Sequence, residues 1–157
     1  MTAGGTAIPE VHALLRVLGA GRHVLEIGAA FGIGAAAMAE TARSVVTVEL
    51  DPERAAIARE RLRAHANVEL VEGDWREVVR GRSPFELVFA DGGSPYDWEA
   101  ILELAAVGGL IVKDDLTPGR AIDGDPVREF LLRDPRVDGV EILTTPATAA
   151  IVAARLR

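Results

Sequence analysis

The sequence predicts an α/β fold built on a doubly wound sheet, and three observations carry that prediction. Short apolar runs alternate with helical patterns from the first third of the chain onward, as they do where helices cross over between parallel strands. The first such run passes through a glycine-bearing turn directly into a helix of small residues. Two strand-like runs close the chain, separated by Thr144-Thr145-Pro146.

The elements follow in order. A first helix is expected from Pro9, with Val11, Leu14, Leu15 and Leu18 as its apolar stripe and Gly19 and Gly21 ending it. Residues 23–27 read as the first strand, 34–41 as a helix and 45–49 as the second strand. Asp51-Pro52 supplies an N-cap and a first-turn proline for a helix reaching to about His65. Strands are expected at 68–71, 86–90 and 110–113, with helices at 74–80 and 98–106 between them. The segment 114–126 holds Pro, Gly and four Asp, the composition of an exposed loop. A helix at 127–133 and strands at 137–143 and 148–156 complete the chain.

With 157 residues, 49% of them hydrophobic and 26% charged, the chain has the balance of one globular domain spanning 1–157, with 1–21 as an N-terminal helical segment. No apolar run approaches the roughly 20 residues of a membrane helix and no secretory pattern opens the chain, so a cytoplasmic location is expected. The absence of Cys excludes disulfides, thiolate metal sites and a cysteine nucleophile. A net charge of −7 argues against a nucleic-acid partner, which calls for a basic footprint.

The informative stretch is residues 24–34, Val-Leu-Glu-Ile-Gly-Ala-Ala-Phe-Gly-Ile-Gly. Gly28, Gly32 and Gly34 are not spaced as G-x-G-x-x-G, the fingerprint of dinucleotide binders. Glu26, two residues before the first glycine, would repel a pyrophosphate and suits an ammonium group. Glu49 ends the second strand 21 residues after Gly28, where a carboxylate accepts hydrogen bonds from ribose hydroxyls. The ligand so described has an amino-acid end, a ribose and no phosphate, and S-adenosylmethionine fits it.

Residues 26–34, Glu49, Gly73-Asp74-Trp75, Asp91 and Gly108-Gly109 resemble the ordered motifs of the class I S-adenosylmethionine-dependent methyltransferases. Val48-Glu49-Leu50-Asp51 and Phe89-Ala90-Asp91-Gly92 are most similar to the small-molecule, catechol-type O-methyltransferase branch. The resemblance implies a Rossmann-like, seven-stranded, mostly parallel sheet with a C-terminal antiparallel hairpin. It implies that Glu26, Gly28, Ala29 and Asp91 meet the methionine end of the cofactor, and that Gly32 and Gly34 allow the turn and close helix packing. Glu49 would hold the ribose, Leu50 one adenine face, and Gly73-Asp74 the adenine amino group; Asp74 has a second reading as the N-cap of its helix, and both can hold. Trp75 has two readings, against the adenine or in the core.

The same branch binds Mg²⁺ through an Asp after the fourth strand and an Asp-Asn pair after the fifth. Asp91 matches the first, and Asp114-Asp115 stand at the pair, with Asp115 in place of Asn; capping of a loop is the alternative role. Three oxygen ligands at strand ends suit a hard cation. Ser94 occupies the position of the branch's catalytic lysine. Lys113 is the one lysine of the chain; beside two carboxylates it is a substrate anchor or catalytic group in one reading, and their neutralising partner in the other. Tyr96 and Trp98 could floor an acceptor site or pack in the interior. The three histidines read as structural or solvated side chains; the resemblance implies that His12, on the first helix, is the one that would border an acceptor.

The expected activity is methyl transfer to a small-molecule hydroxyl, metal-assisted, in a homodimer; a lid over the site would come from the N-terminal segment, from the 114–126 loop or from the second copy. Three other readings stay open: a cyclisation that uses the same cofactor, a silent cofactor-binding module, and methylation of RNA.

Overall fold

The computed structural model describes residues 6–82, 84–92 and 97–157. In chain order the elements are α1 (Pro9–Gly19), β1 (His23–Ile27), α2 (Ile33–Ala39), β2 (Ser44–Glu49), α3 (Pro52–Leu62), β3 (Val68–Glu72) and α4 (Trp75–Val78). They continue with β4 (Phe85–Ala90), α5 (Trp98–Leu104), β5 (Ala105–Leu116), α6 (Pro126–Arg133), β6 (Val137–Thr145) and β7 (Thr148–Arg155). One seven-stranded sheet runs in the order β3-β2-β1-β4-β5-β7-β6. Pairings from β3 through β5 are parallel, and β7 is antiparallel to both β5 and β6. The predicted fold class is the observed one.

Strict alternation in β1 explains the two layers. Val24 turns toward α1, α2 and α3, where it packs with Leu15, Met38 and Leu62. Leu25 and Ile27 turn to the opposite face, covered by Trp75, Trp98, Ile101 and Leu131. Strands buried on both faces read as continuous apolar runs, which is why they were visible in the sequence. Trp75 is part of this core, as one of its readings expects, and also lines the cleft described below.

The helix caps follow local chemistry. Asp51 accepts hydrogen bonds from the amides of Glu53 and Arg54 at the start of α3, an interaction worth about 1 kcal/mol. Asp74 caps α4 and Asp125 caps α6 in the same way. The main departures from expectation lie around β5. The helix before it ends at Leu104 rather than 106, and the strand runs on to Leu116, taking Asp114 and Asp115 out of the expected loop and into the sheet. There the pairing with β7 shifts register: Lys113 is opposite Ile151 and Leu116 opposite Ala149. Three steps on β5 therefore match two on β7, a β-bulge at the two aspartates.

Candidate active site

The strand order reverses between β1 and β4, and at such a switch point the loops leaving the carboxyl ends of the strands diverge to open a crevice. A cleft of about 410 Å³ occupies it, bounded by the ends of β1 to β4 and lined among others by Gly28, Ala30, Glu49, Leu50, Asp74, Trp75 and Asp91. Gly28 sits at φ 98°, and a Cβ built there would stand 2.8 Å from the backbone of Gly92. Glycine is required because the ends of β1 and β4 touch at this point, with the amides of Asp91 and Gly92 both donating to the carbonyl of Ile27.

Glu49 is buried at the end of β2. One carboxylate oxygen accepts from the Ala30 amide at 2.7 Å and the other from the Asp51 amide at 2.9 Å. Two backbone donors fix the carboxylate and leave lone pairs on both oxygens for a diol in the cleft. Leu50 is 70% exposed on the rim, an apolar surface without a protein neighbour to cover it. Asp74 presents the remainder of its carboxylate after capping α4. The guanidinium of Arg76 lies 4.8 Å from the centroid of the Trp75 ring, and Arg54 lies 5.9 Å from that of Phe31; both arginines line the cleft.

Glu26 stands deeper than the residues that line the cleft. It is 1% exposed and lies beneath the glycine turn instead of lining the cleft, with the Thr47 hydroxyl donating to it from the neighbouring register position on β2. A Cβ on Gly34 would come within 2.3 Å of its Oε1, so Gly34 is glycine to admit this carboxylate. Gly32, at φ 77°, is the glycine of close helix approach, against Ala58 of α3. Ala29 is buried with its amide donating to Val48, and Ala30, at φ 46°, takes its expected place at the cleft.

Burial pushes the Glu26 carboxyl up to about 8; the Thr47 hydrogen bond opposes this, and the charges of Asp91, Glu49 and Asp114 add to it. Asp91 is raised to about 7 by burial and by Asp114, with Lys113 opposing. Asp114 is raised for the same first reason, its burial. The buried cation at this corner, Lys113, only partly offsets these desolvated carboxylates, and a cationic ligand would relieve all three.

Asp91, Asp114 and Asp115 each offer one oxygen, all within 4.8 Å of one another. The Oδ2 of Asp114 is buried without a hydrogen-bond partner, and Asp115 holds φ 57°, a left-handed conformation that costs a non-glycine residue on the order of 1 kcal/mol. The bulge thus brings together an orphaned acceptor and two further carboxylates, a donor set that fits a hard divalent cation. Lys113 is buried below this corner, its Nζ donating to the Asp114 carbonyl at 2.8 Å. His12 has a buried Nε2 without a partner, and burial lowers its pKa. Ser94 and Tyr96 lie outside the described residues.

Sequence reasoning missed Ala30, Thr47, Arg54 and Arg76. Thr47 becomes visible only with the β1–β2 register, while Arg54 and Arg76 follow helix N-caps that were recognised and could have been extended to the cleft rim.

A family model described as a methyltransferase domain matches residues 25–116, more than half of the chain. The chain belongs to that family. A protein-L-isoaspartate O-methyltransferase of Picosynechococcus sp. is 34% identical over 102 residues, covering 64% of this chain and 46% of the relative. The chain spans about half the length of the curated relatives it matches. Among solved structures, the O-methyltransferase TomG from Streptomyces achromogenes, in complex with S-adenosylmethionine, superposes with a TM-score of 0.76 at 23% identity, covering 100% of this chain and 84% of that one. An rRNA methylase from Streptococcus thermophilus gives 0.70 at 17% identity, with 98% and 100% coverage. At these identities the structural likeness is one of fold.

Proposed function

We propose that this protein transfers a methyl group from S-adenosylmethionine to a hydroxyl of a small molecule, with a divalent cation assisting. The observation that carries the reading is the row of carboxylates along one cleft, Glu49, Asp74 and Asp91, interleaved with the apolar surfaces of Leu50 and Trp75. That order suits a ribose diol, an adenine and a cationic amino-acid end.

Bound S-adenosylmethionine would supply an activated methyl group on a sulfonium. Glu49, already fixed by two amides, accepts the ribose hydroxyls. Asp74 accepts from the adenine amino group, and Leu50 covers one face of the ring. Asp91, with the charge of Glu26 behind it, faces the ammonium. A cation on Asp91, Asp114 and Asp115 would orient an acceptor hydroxyl and lower its pKa. The remaining work of the chain is to hold the acceptor oxygen in line with the methyl–sulfur bond. In this reading residues 1–157 work as one cofactor-binding unit, and a second copy helps to cover the acceptor.

The names of the curated relatives favour a second acceptor, the carboxylate of a modified protein side chain. The acidic corner favours the hydroxyl, since a carboxylate acceptor is already ionised and needs no cation to lower its pKa. A net charge of −7 opposes an RNA acceptor.

The deciding experiment incubates the protein with S-adenosylmethionine and either a panel of catechols and other phenols or an isoaspartyl peptide. S-adenosylhomocysteine should form with a phenol, fall with a chelator and fall with Asp91→Ala. Turnover of the peptide alone, indifferent to chelators, would replace this reading with the second.

A further inference from the structure

The most thoroughly buried charged side chain on α6 lies away from the cleft. Arg128 is 1% exposed, yet its guanidinium is bonded throughout. Its Nε and Nη2 donate to the two oxygens of Glu141 at 2.8 and 3.1 Å, Nη1 to Asp125 Oδ2 at 2.6 Å, and Nη2 also to the Thr117 carbonyl at 2.8 Å. A buried ion pair is a poor source of net stability, because desolvation offsets the attraction; what it provides is a fixed arrangement of the groups it joins.

The groups joined here converge on the bulge. Thr117 follows the aspartate pair by two residues. Glu141 pairs with Ile151, and Ile151 pairs with Lys113, so the three share one row across β6, β7 and β5 and one face of the sheet. Asp125 caps α6 and closes the loop that leaves Leu116. Through one guanidinium, α6 and β6 grip the chain immediately past the point where β5 loses register.

We infer that Arg128 is a positioning residue for the acidic corner, holding the Asp114–Asp115 bulge in the conformation that gathers its carboxylates with Asp91. The inference rests on the metal-assisted reading above. Loss of a direct partner of a metal ligand characteristically changes affinity about 10- to 100-fold; Arg128 acts one step further out, through the Thr117 carbonyl, and its effect should be smaller.

The test measures Mn²⁺ binding to the full chain by electron paramagnetic resonance, S-adenosylmethionine binding by calorimetry, and amide exchange over 114–124. Wild type is compared with Arg128→Lys and with the milder Glu141→Gln, which keeps the shape of the clamp should Arg128→Lys not fold. The expected result is Mn²⁺ affinity weakened roughly threefold to tenfold in Arg128→Lys, below the range for a direct partner of a ligand, and less in Glu141→Gln. Cofactor affinity should stay within about twofold and exchange should quicken at 116–124. Unchanged Mn²⁺ affinity in folded variants overturns the inference alone. Wild type that takes up no Mn²⁺ overturns the metal reading and the inference with it.

Discussion

Replacing Glu26 with glutamine should stabilise the ligand-free protein, and more so as the pH rises. Burial holds the folded-state carboxyl at about 8, against an ordinary value of 4.5. The folded state therefore keeps a proton that the unfolded chain has released, and stability declines as pH climbs from about 4.5 to 8. Over that window the loss from this one group is on the order of 5 kcal/mol. Glutamine mimics the protonated acid, still accepts from Thr47 and does not titrate. The gap between variant and wild type should thus widen from about 1 kcal/mol at pH 5 to about 5 kcal/mol at pH 8.5 in urea denaturation. Saturating S-adenosylmethionine should narrow the gap, because its positive charges favour the ionised glutamate. A gap that is the same at both pH values, or one of opposite sign, would refute the reasoning.

Three further outcomes are expected. Gly34→Ala places a methyl 2.3 Å from Glu26 Oε1 and should lower stability by about 2 kcal/mol or more, measured by thermal melting, while the same change in a Glu26→Ala background should cost much less. Glu49→Gln keeps the shape but loses the charge that accepts from Ala30 and Asp51, and calorimetry should show cofactor affinity reduced roughly 10- to 100-fold. Gly28→Ala would press a Cβ against Gly92 at 2.8 Å in a left-handed conformation; its melting temperature should fall and its cofactor binding with it.

The strands buried on both faces and two of the capped helices were legible because each is a local event: apolar runs bounded by glycine, and an Asp at the head of each of α3 and α4. The glycine turn with Glu26 and Glu49 was legible for the same reason, since spacing along a strand–turn–helix determines which groups reach the strand ends. Where local pattern and packing compete, the reading slipped. Asp114 and Asp115 look like loop residues by composition, yet pairing with β7 draws them into the sheet. Ala29 and Ala30 cannot be told apart by type; the backbone of the turn buries one and turns the other to the cleft.

The sequence by itself determined the fold class and the chemistry of the ligand that suits it. Only the tertiary structure decided that Glu26 is buried beneath the turn, and that Asp91 meets a bulge on β5. It also decided that Arg128 grips the far side of that bulge. These depend on register and on contacts between strands far apart in the chain, and a side chain's own neighbours in sequence carry no record of what the sheet will set beside it.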